Sequence, residues 1–201
     1  MAASSPIRIA IFASGGGSNA KTILTRFQEY PEGEVVLLVT NNPESGVVHF
    51  GEEFSVPVEI LTREKFSDGT YLNALMQRYH IDLIVLAGYL KLIPAQTVSQ
   101  FPQRILNIHP ALLPAYGGRG MYGMNIHKNV IKDGASHSGI TIHFVNEVYD
   151  QGEIVFQEAI AVDKNWSPED LQKEVQKLEH QYFSEVIKKV CENLLRQNNN
   201  L

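Results

Sequence analysis

An amide, an imidazole and a carboxylate stand at the ends of predicted strands: Asn107 and His109 in Asn107-Ile108-His109-Pro110, and Asp150 in the run from His143 through Tyr149 to Gln151-Gly152. Side chains on a strand repeat with period two, so Asn107 and His109 project the same way and can reach one reacting centre. If a later strand delivers Asp150 beside His109, the three could stabilise an oxyanion, move a proton and hold the imidazole charged. That set suits attack by an amine on a carbonyl. Each residue also has a plainer role: Asn can tie a loop, a lone His is often a satisfied polar group, and Asp150 before Gln151-Gly152 can simply form a turn. Pro110 and Pro114 fix the chain just after the pair, and the carboxyl end of a strand is where open α/β sheets bind ligands. Both facts favour catalysis at Asn107 and His109. His143, on the same side of its strand as Thr141, is a second candidate imidazole. His49, His127 and His137 show no metal-ligand spacing and read as surface or packing residues, so no metal is expected.

Ser14-Gly15-Gly16-Gly17-Ser18-Asn19 follows the first predicted strand and opens the first helix. Its backbone N–H groups and the helix N-terminus make a natural cradle for a phosphate. Three successive glycines exceed what a tight turn needs and leave the backbone open to close approach. Gly15-x-Gly17-x-x-Ala20 also matches a dinucleotide fingerprint, but the second strand ends in Thr40-Asn41-Asn42, without the acid that would bind ribose hydroxyls. The Gly-Lys-Ser/Thr ending of a triphosphate loop is missing too, so a phosphate monoester is the better fit. Two further segments leave strand ends: Gly88 to Pro94, whose apolar residues could line a pocket for a flat heterocycle, and the glycine-rich Ala115 to Met124, which reads either as a mobile surface loop or as a substrate-sensing lid.

The elements that must position these groups are legible in the hydrophobic pattern. Ile7 to Ala13, Val35 to Thr40, Ile81 to Ala87, Ile105 to Asn107, Ile140 to Val145 and Ile154 to Val162 read as strands, several nearly continuous in apolar residues, as in a sheet buried on both faces. Ala20 to Tyr30, Gly46 to Phe54 and Asp68 to Tyr79 read as helices between them. Strand alternating with helix predicts an α/β, doubly wound, mostly parallel sheet with helices on both faces. Ile140 to Val162 holds two strands without an intervening helix, so the sheet should be mixed, with an antiparallel edge. Ser167-Pro168-Glu169-Asp170 supplies a cap, a first-turn proline and two acids for a last helix, whose Leu171, Val175, Leu178, Tyr182, Val186, Val190 and Leu194 fall at helical spacing.

The 201 residues favour one domain over 1–201, with residues 1–5 and 197–201 expected to be disordered. Hydrophobic content of 44% and charged content of 19%, with no apolar run near the length of a membrane span, fit a soluble chain that does not engage a membrane. A formal charge of −5 argues against a broad nucleic-acid-binding face. Cys191 is the only cysteine and the N-terminus lacks a secretory pattern, so a reducing cytoplasm is expected. Cys191 itself reads as a small buried residue rather than a nucleophile.

Taken together, Ser14 through Asn19, Leu86-Ala87-Gly88-Tyr89-Leu90-Lys91-Leu92-Ile93, Asn107 through Pro114, Gly139 through Gly152 and Gln176-Lys177-Leu178-Glu179-His180 resemble the glycinamide ribonucleotide formyltransferases, folate-dependent enzymes of purine synthesis. The matching pieces span nearly the whole chain in the right order. The resemblance implies a formyltransferase-like Rossmann-type fold and transfer of the formyl group of 10-formyltetrahydrofolate, the co-substrate, to the amine of 5-phosphoribosylglycinamide on the way to IMP, without a metal. It implies that Gly17, Ser18 and Asn19 hold the substrate phosphate and Glu179 its ribose or glycinamide end. Leu90, Lys91, Leu92 and Ile93, with Asn107 and the backbone from Asn146 to Asp150, would hold the folate. Asn107 and a protonated His109 would stabilise the tetrahedral oxyanion, His109 would relay a proton, and Asp150 would keep the imidazole charged. Ser138 stands where many relatives have His, leaving His137 no role. The Tyr116 to Met124 loop is longer and richer in glycine than the family version. The partners implied are these small molecules, with monomer or homodimer left open. The rival readings are a hydrolase of formyl folate, a transferase acting on charged tRNA, each resembling this chain with an added domain, and a non-catalytic nucleotide-binding module.

Overall fold

The computed structural model describes residues 5–66 and 69–199. Seven strands form one sheet in the order β3-β2-β1-β4-β5-β6-β7, with β1 Ile7–Phe12, β2 Gly33–Thr40, β3 Val58–Ile60, β4 Leu83–Leu86, β5 Ile105–His109, β6 His137–Phe144 and β7 Ile154–Ala161. The first five strands are parallel, whereas β6 pairs antiparallel with both β5 and β7. The mixed sheet and its antiparallel edge are as the sequence predicts.

The near-continuous apolarity of the central strands has a direct structural reason. Ile7, Ile9 and Ile11 of β1 enter one core, with Leu83 and Val85 of β4 and Leu106 and Ile108 of β5. Alternate residues Ala10, Phe12, Ile84, Leu86 and Ile105 enter a second core on the opposite face. The first core packs beneath α1 (Ser18–Phe27), α6 (Met124–Lys132) and α7 (Pro168–Asn198). The second lies beneath α4 (Thr70–Arg78) and α5 (Ala95–Gln100). Two short elements, α2 (Gly46–Phe54) and α3 (Arg63–Phe66), flank β3 in the chain.

Helix α7 begins as its sequence dictates. Ser167 Oγ accepts from the Asp170 N–H at 3.1 Å, Asp170 Oδ2 accepts from the Ser167 N–H at 3.1 Å, and Pro168 opens the first turn. The helix runs to Asn198, so residues 197 and 198, expected to fall in a disordered tail, are helical. Residues 1–4 and 200–201 of the expected tails, and Asp68 at the start of the predicted third helix, lie outside the described residues. Cys191 is fully buried, and burial pushes its thiol up to about 12, which removes it as a nucleophile. Among the described residues no helix is long and apolar enough to cross a membrane.

The strand order reverses between β1 and β4, because the chain winds outward from β1 through β2 and β3 and then returns to β4 on the other side. A crevice opens at the carboxyl end of the sheet at such a switch point. The loops after β1, β4 and β5 converge there.

Candidate active site

A cleft of about 450 Å³ sits at this end of the sheet, with Gly15, Asn19, Gln176 and Glu179 at one part of its wall, Asn107, His109, His143 and Asp150 at another, and Leu90, Leu92, Val148 and Tyr149 at a third. Asn107 and His109 lie on β5 two residues apart, opposite His143 and Thr141 of β6. That antiparallel register is what brings His143 into the site. The loop after β6 then turns back, with Asp150 in the left-handed region at φ 56. Gly152 follows, with its α-carbon so close to the Phe144 carbonyl that a side chain there would collide with backbone. Asp150 is therefore both the turn former its sequence suggested and a member of the cluster.

The hydrogen bonds fix the state of each group. His109 Nε2 lies 2.8 Å from the Tyr116 carbonyl, which can only accept, so this nitrogen carries the proton. His109 Nδ1 faces Asp150 Oδ1 at 3.5 Å. The other carboxylate oxygen accepts the Gly118 N–H at 2.8 Å. His143 Nδ1 lies 2.9 Å from the Phe144 carbonyl and must donate to it, so its Nε2 accepts from the Asn107 amide at 3.0 Å. Asp150 Oδ1 lies 3.7 Å from that same Nε2. The bond to His143 orients the Asn107 amide with its nitrogen toward β6 and leaves one N–H uncommitted.

Burial decides the charge of His109. Its side chain is 5% exposed, and desolvation pulls the imidazole below its ordinary 6.5 despite the opposing carboxylate of Asp150 and the carbonyl of Tyr116. Asp150 favours the charged ring, as expected of it, against a larger opposing influence from burial. Desolvation is the larger of the two influences and pulls the ring toward its neutral form, in which Nε2 carries the proton and Nδ1 the lone pair. Asp150 goes the other way: burial acts to raise its carboxyl, but contact with His143, the charge of His109 and the Gly118 N–H together hold it below the usual carboxylate range.

The glycine cradle is braced from three sides. Ser14 Oγ donates to Asn41 Oδ1 at 2.6 Å and accepts from the Leu90 N–H at 3.0 Å, while Ser45 Oγ donates to the Gly15 carbonyl at 2.8 Å. The Thr40-Asn41-Asn42 end of β2, which lacks a ribose-binding acid, serves here to hold this loop. Gly17 caps α1 at φ 73, and a Cβ there would stand 3.1 Å from both Phe50 and Val47. Gly15 and Gly16 have no atom within 4 Å of where a Cβ would be, so the backbone is open to a ligand. From α7, Gln176 donates to Ser18 Oγ at 2.9 Å and Glu179 Oε2 accepts from Asn19 Nδ2 at 2.8 Å. Burial raises the Glu179 carboxyl above its ordinary value, with the Asn19 amide opposing.

Along the opposite wall, Leu90 is 51% and Leu92 38% exposed, as are Val148 at 51% and Tyr149 at 40%. Ile93 differs: it is buried with Tyr89 and Phe12 in the second core, and supports this wall from behind. Large apolar side chains left bare around a cleft suit a flat heterocyclic ligand. Of the residues read as surface or packing, His137 is exposed and His49 lies tilted against the Phe50 ring. His127 is a packing residue, buried in the cleft wall near His109; its Nδ1 has no partner, and burial followed by the charge of His109 lowers it to about 4. No group of three or more potential metal ligands occurs among the described residues.

A doubly wound sheet carrying an amide, an imidazole and a carboxylate beside a glycine cradle defines a class of group-transfer protein. Residues 7–187 match the family model described as formyl transferase, and the chain belongs to that family. It is 46% identical to a phosphoribosylglycinamide formyltransferase, chloroplastic, of Arabidopsis thaliana, over 94% of this chain and 67% of that protein. It is 33% identical to the phosphoribosylglycinamide formyltransferase of Bacillus subtilis, over 91% of this chain and 94% of that protein. The structure of glycinamide ribonucleotide transformylase 1 from Symbiobacterium toebii superposes with a TM-score of 0.84 at 30% identity, covering 94% of this chain and 89% of that one.

Proposed function

We propose that the chain transfers the formyl group of 10-formyltetrahydrofolate to the amine of 5-phosphoribosylglycinamide, in the synthesis of IMP. The observation that carries this reading is the meeting of Asn107, His109 and Asp150 in one cleft with Gly15 and Asn19, the two ends of the glycine cradle. Gly17, Ser18 and Asn19 hold the phosphate at the N-terminus of α1, and Glu179, already bonded to Asn19, faces the sugar or the glycinamide. Leu90, Lys91, Leu92 and Ile93 form the wall for the pterin. The bare apolar side chains at Leu90, Leu92, Val148 and Tyr149 fit it. The folate, when bound, supplies an electrophilic formyl carbon.

The chain's own groups then divide the work. The uncommitted N–H of Asn107 stabilises the oxygen on which negative charge develops. His109 Nδ1, neutral at rest, accepts the proton of the attacking amine. The imidazolium that results lies against Asp150, whose carboxylate stabilises it until the proton passes to the departing nitrogen. His109 Nε2 stays on the Tyr116 carbonyl throughout, so the ring keeps its orientation. The free, buried thiol of Cys191 is consistent with a reducing compartment such as the cytoplasm.

The test is release of tetrahydrofolate from formyl folate with and without phosphoribosylglycinamide. Release that depends on the ribonucleotide is expected, and release indifferent to it points to hydrolysis instead. Asn107→Ala should lower kcat about 10²- to 10³-fold, the usual loss for one oxyanion donor, while binding of ribose 5-phosphate persists.

A further inference from the structure

The glycine cradle supplies backbone N–H groups and a helix N-terminus but no cationic side chain. Lys21, the nearest in sequence, is ion-paired to Glu53 at 3.2 Å, lies over the Phe50 ring and does not line the cleft. A phosphate monoester near neutral pH carries close to two charges, and the cleft already contains the carboxylate of Asp150. Among the described lining residues only Lys91 and Arg119 are permanently cationic. Lys91 sits on the apolar Leu90 to Ile93 wall. Arg119 sits on the loop between β5 and α6, and α6 packs on α7, the helix that presents Gln176 and Glu179. The guanidinium of Arg119 has no carboxylate or carbonyl partner among the described residues.

We propose that Arg119 is a specificity-determining residue of this site: its guanidinium closes over the phosphate from the side opposite the cradle and supplies the charge that the cradle lacks. The inference rests on the reading of the cleft as a ribonucleotide site. The backbone around Arg119 allows such a movement. Gly118 and Gly120 flank it, both at φ 90, and neither has an atom within 4 Å of a Cβ position. Gly118 is tethered through its N–H to Asp150 Oδ2, so the segment pivots from a fixed point next to the catalytic carboxylate. A planar fork of N–H donors matches phosphate oxygens two at a time, which a lysine would do less well. The arrangement also explains how a chain with a net charge of −5 recruits a dianion, since the positive charge is placed locally.

The folate side of the cleft could also present carboxylates, in the glutamyl tail, so the test separates the two anions. Binding of ribose 5-phosphate and of p-aminobenzoylglutamate is measured by calorimetry on the wild type, on Arg119→Gln and on Arg119→Lys. The expected result is at least tenfold weaker binding of ribose 5-phosphate by Arg119→Gln, partial recovery in Arg119→Lys, and glutamate-probe affinity within twofold of wild type in both. The ionic-strength dependence of ribose 5-phosphate binding should be shallower in Arg119→Gln. The proposal is overturned if Arg119→Gln binds ribose 5-phosphate within twofold of wild type, if the glutamate probe is the ligand that weakens, or if the wild type binds no ribose 5-phosphate. Arg119 lies on an exposed loop, so an unchanged melting curve confirms that the variant is folded. Wild-type binding that follows this pattern, with no formyl transfer, would refute the catalytic reading and leave the role of Arg119 standing.

Discussion

Replacing Asp150 by Asn tests the catalytic geometry most directly, because it removes one charge and little volume. The carboxylate oxygen stands 3.5 Å from His109 Nδ1. At an effective dielectric near 20, a unit charge pair at that distance interacts by about 5 kcal/mol. An amide has only one oxygen, so if that oxygen keeps the Gly118 N–H the amide nitrogen turns toward His109 Nδ1, and at least roughly half of this interaction is lost. About 2.5 kcal/mol of lost stabilisation of the imidazolium corresponds to roughly a 10²-fold fall in kcat. The pH profile gives the more searching readout. On the proposed mechanism turnover needs His109 neutral, so activity should fall as pH drops through the pKa of this ring, which burial lowers from its ordinary 6.5. Asp150 is the main influence raising that pKa, and its loss must move the acid limb to lower pH. The assay is kcat and kcat/KM for tetrahydrofolate release across pH 5 to 8, with ribose 5-phosphate affinity as a control. A kcat within threefold of wild type, or an acid limb that stays put or moves upward, refutes the role given to Asp150.

Two further substitutions separate binding from chemistry and binding from stability. Gly17→Ala places a side chain in a left-handed position, at about 1–2 kcal/mol of backbone strain, and against Phe50 and Val47. Ribose 5-phosphate affinity measured by calorimetry should fall about tenfold, with kcat at saturating ribonucleotide reduced far less. Glu179→Gln should trade affinity for stability. Burial raises the Glu179 pKa in the folded protein, so the folded state binds the proton more tightly than the unfolded chain. That stabilisation is fully present below the unfolded value and is lost as pH rises through the folded one. Thermal melts should therefore place Glu179→Gln above wild type at pH 8, with the gap closing toward pH 4, while its KM for the ribonucleotide rises.

How much of this was legible in the sequence depends on which force sets each feature. The buried strands and α2 follow from local pattern, and Gly46–Phe54 is found with the predicted bounds. So does the start of α7, where the cap chemistry is local. Strand β3 was missed because its three residues lie at the sheet edge and are half-buried, too few to show an alternation. The short α5 after Pro94 is largely polar and exposed, and α6 begins inside a glycine-rich run that hides its N-terminus. At the site, Asn107 and His109 were readable because strand periodicity is a local property. The partnership of His143 with Asn107 was not, since it depends on the register of β6 against β5, which no single strand specifies. The downward pull of burial on His109 was invisible for a related reason: a neighbouring carboxylate can be guessed from sequence, whereas the loss of water around the ring depends on the whole packing.

The hydrogen bonds at the cleft share a pattern that bears on how the chemistry is accelerated. Each of the three groups spends one of its polar positions on the scaffold and, on the proposed mechanism, keeps another for the reaction. His109 commits Nε2 to the Tyr116 carbonyl and keeps Nδ1; Asp150 commits Oδ2 to the Gly118 N–H and keeps Oδ1; Asn107 commits one amide N–H to His143 and keeps the other. The anchors are themselves fixed, His143 by the Phe144 carbonyl and the turn at Asp150 by the close approach of Gly152 to the backbone of β6. Groups oriented in this way need little rearrangement when charge develops, and in a buried site an oriented donor is worth far more than in water. On the proposed reading the same argument accounts for placing the chemistry on β5 and the adjoining turns and Arg119 on the glycine-rich loop: proton transfer requires positions fixed to a fraction of an ångström, whereas capture of a phosphate gains from a side chain free to follow it.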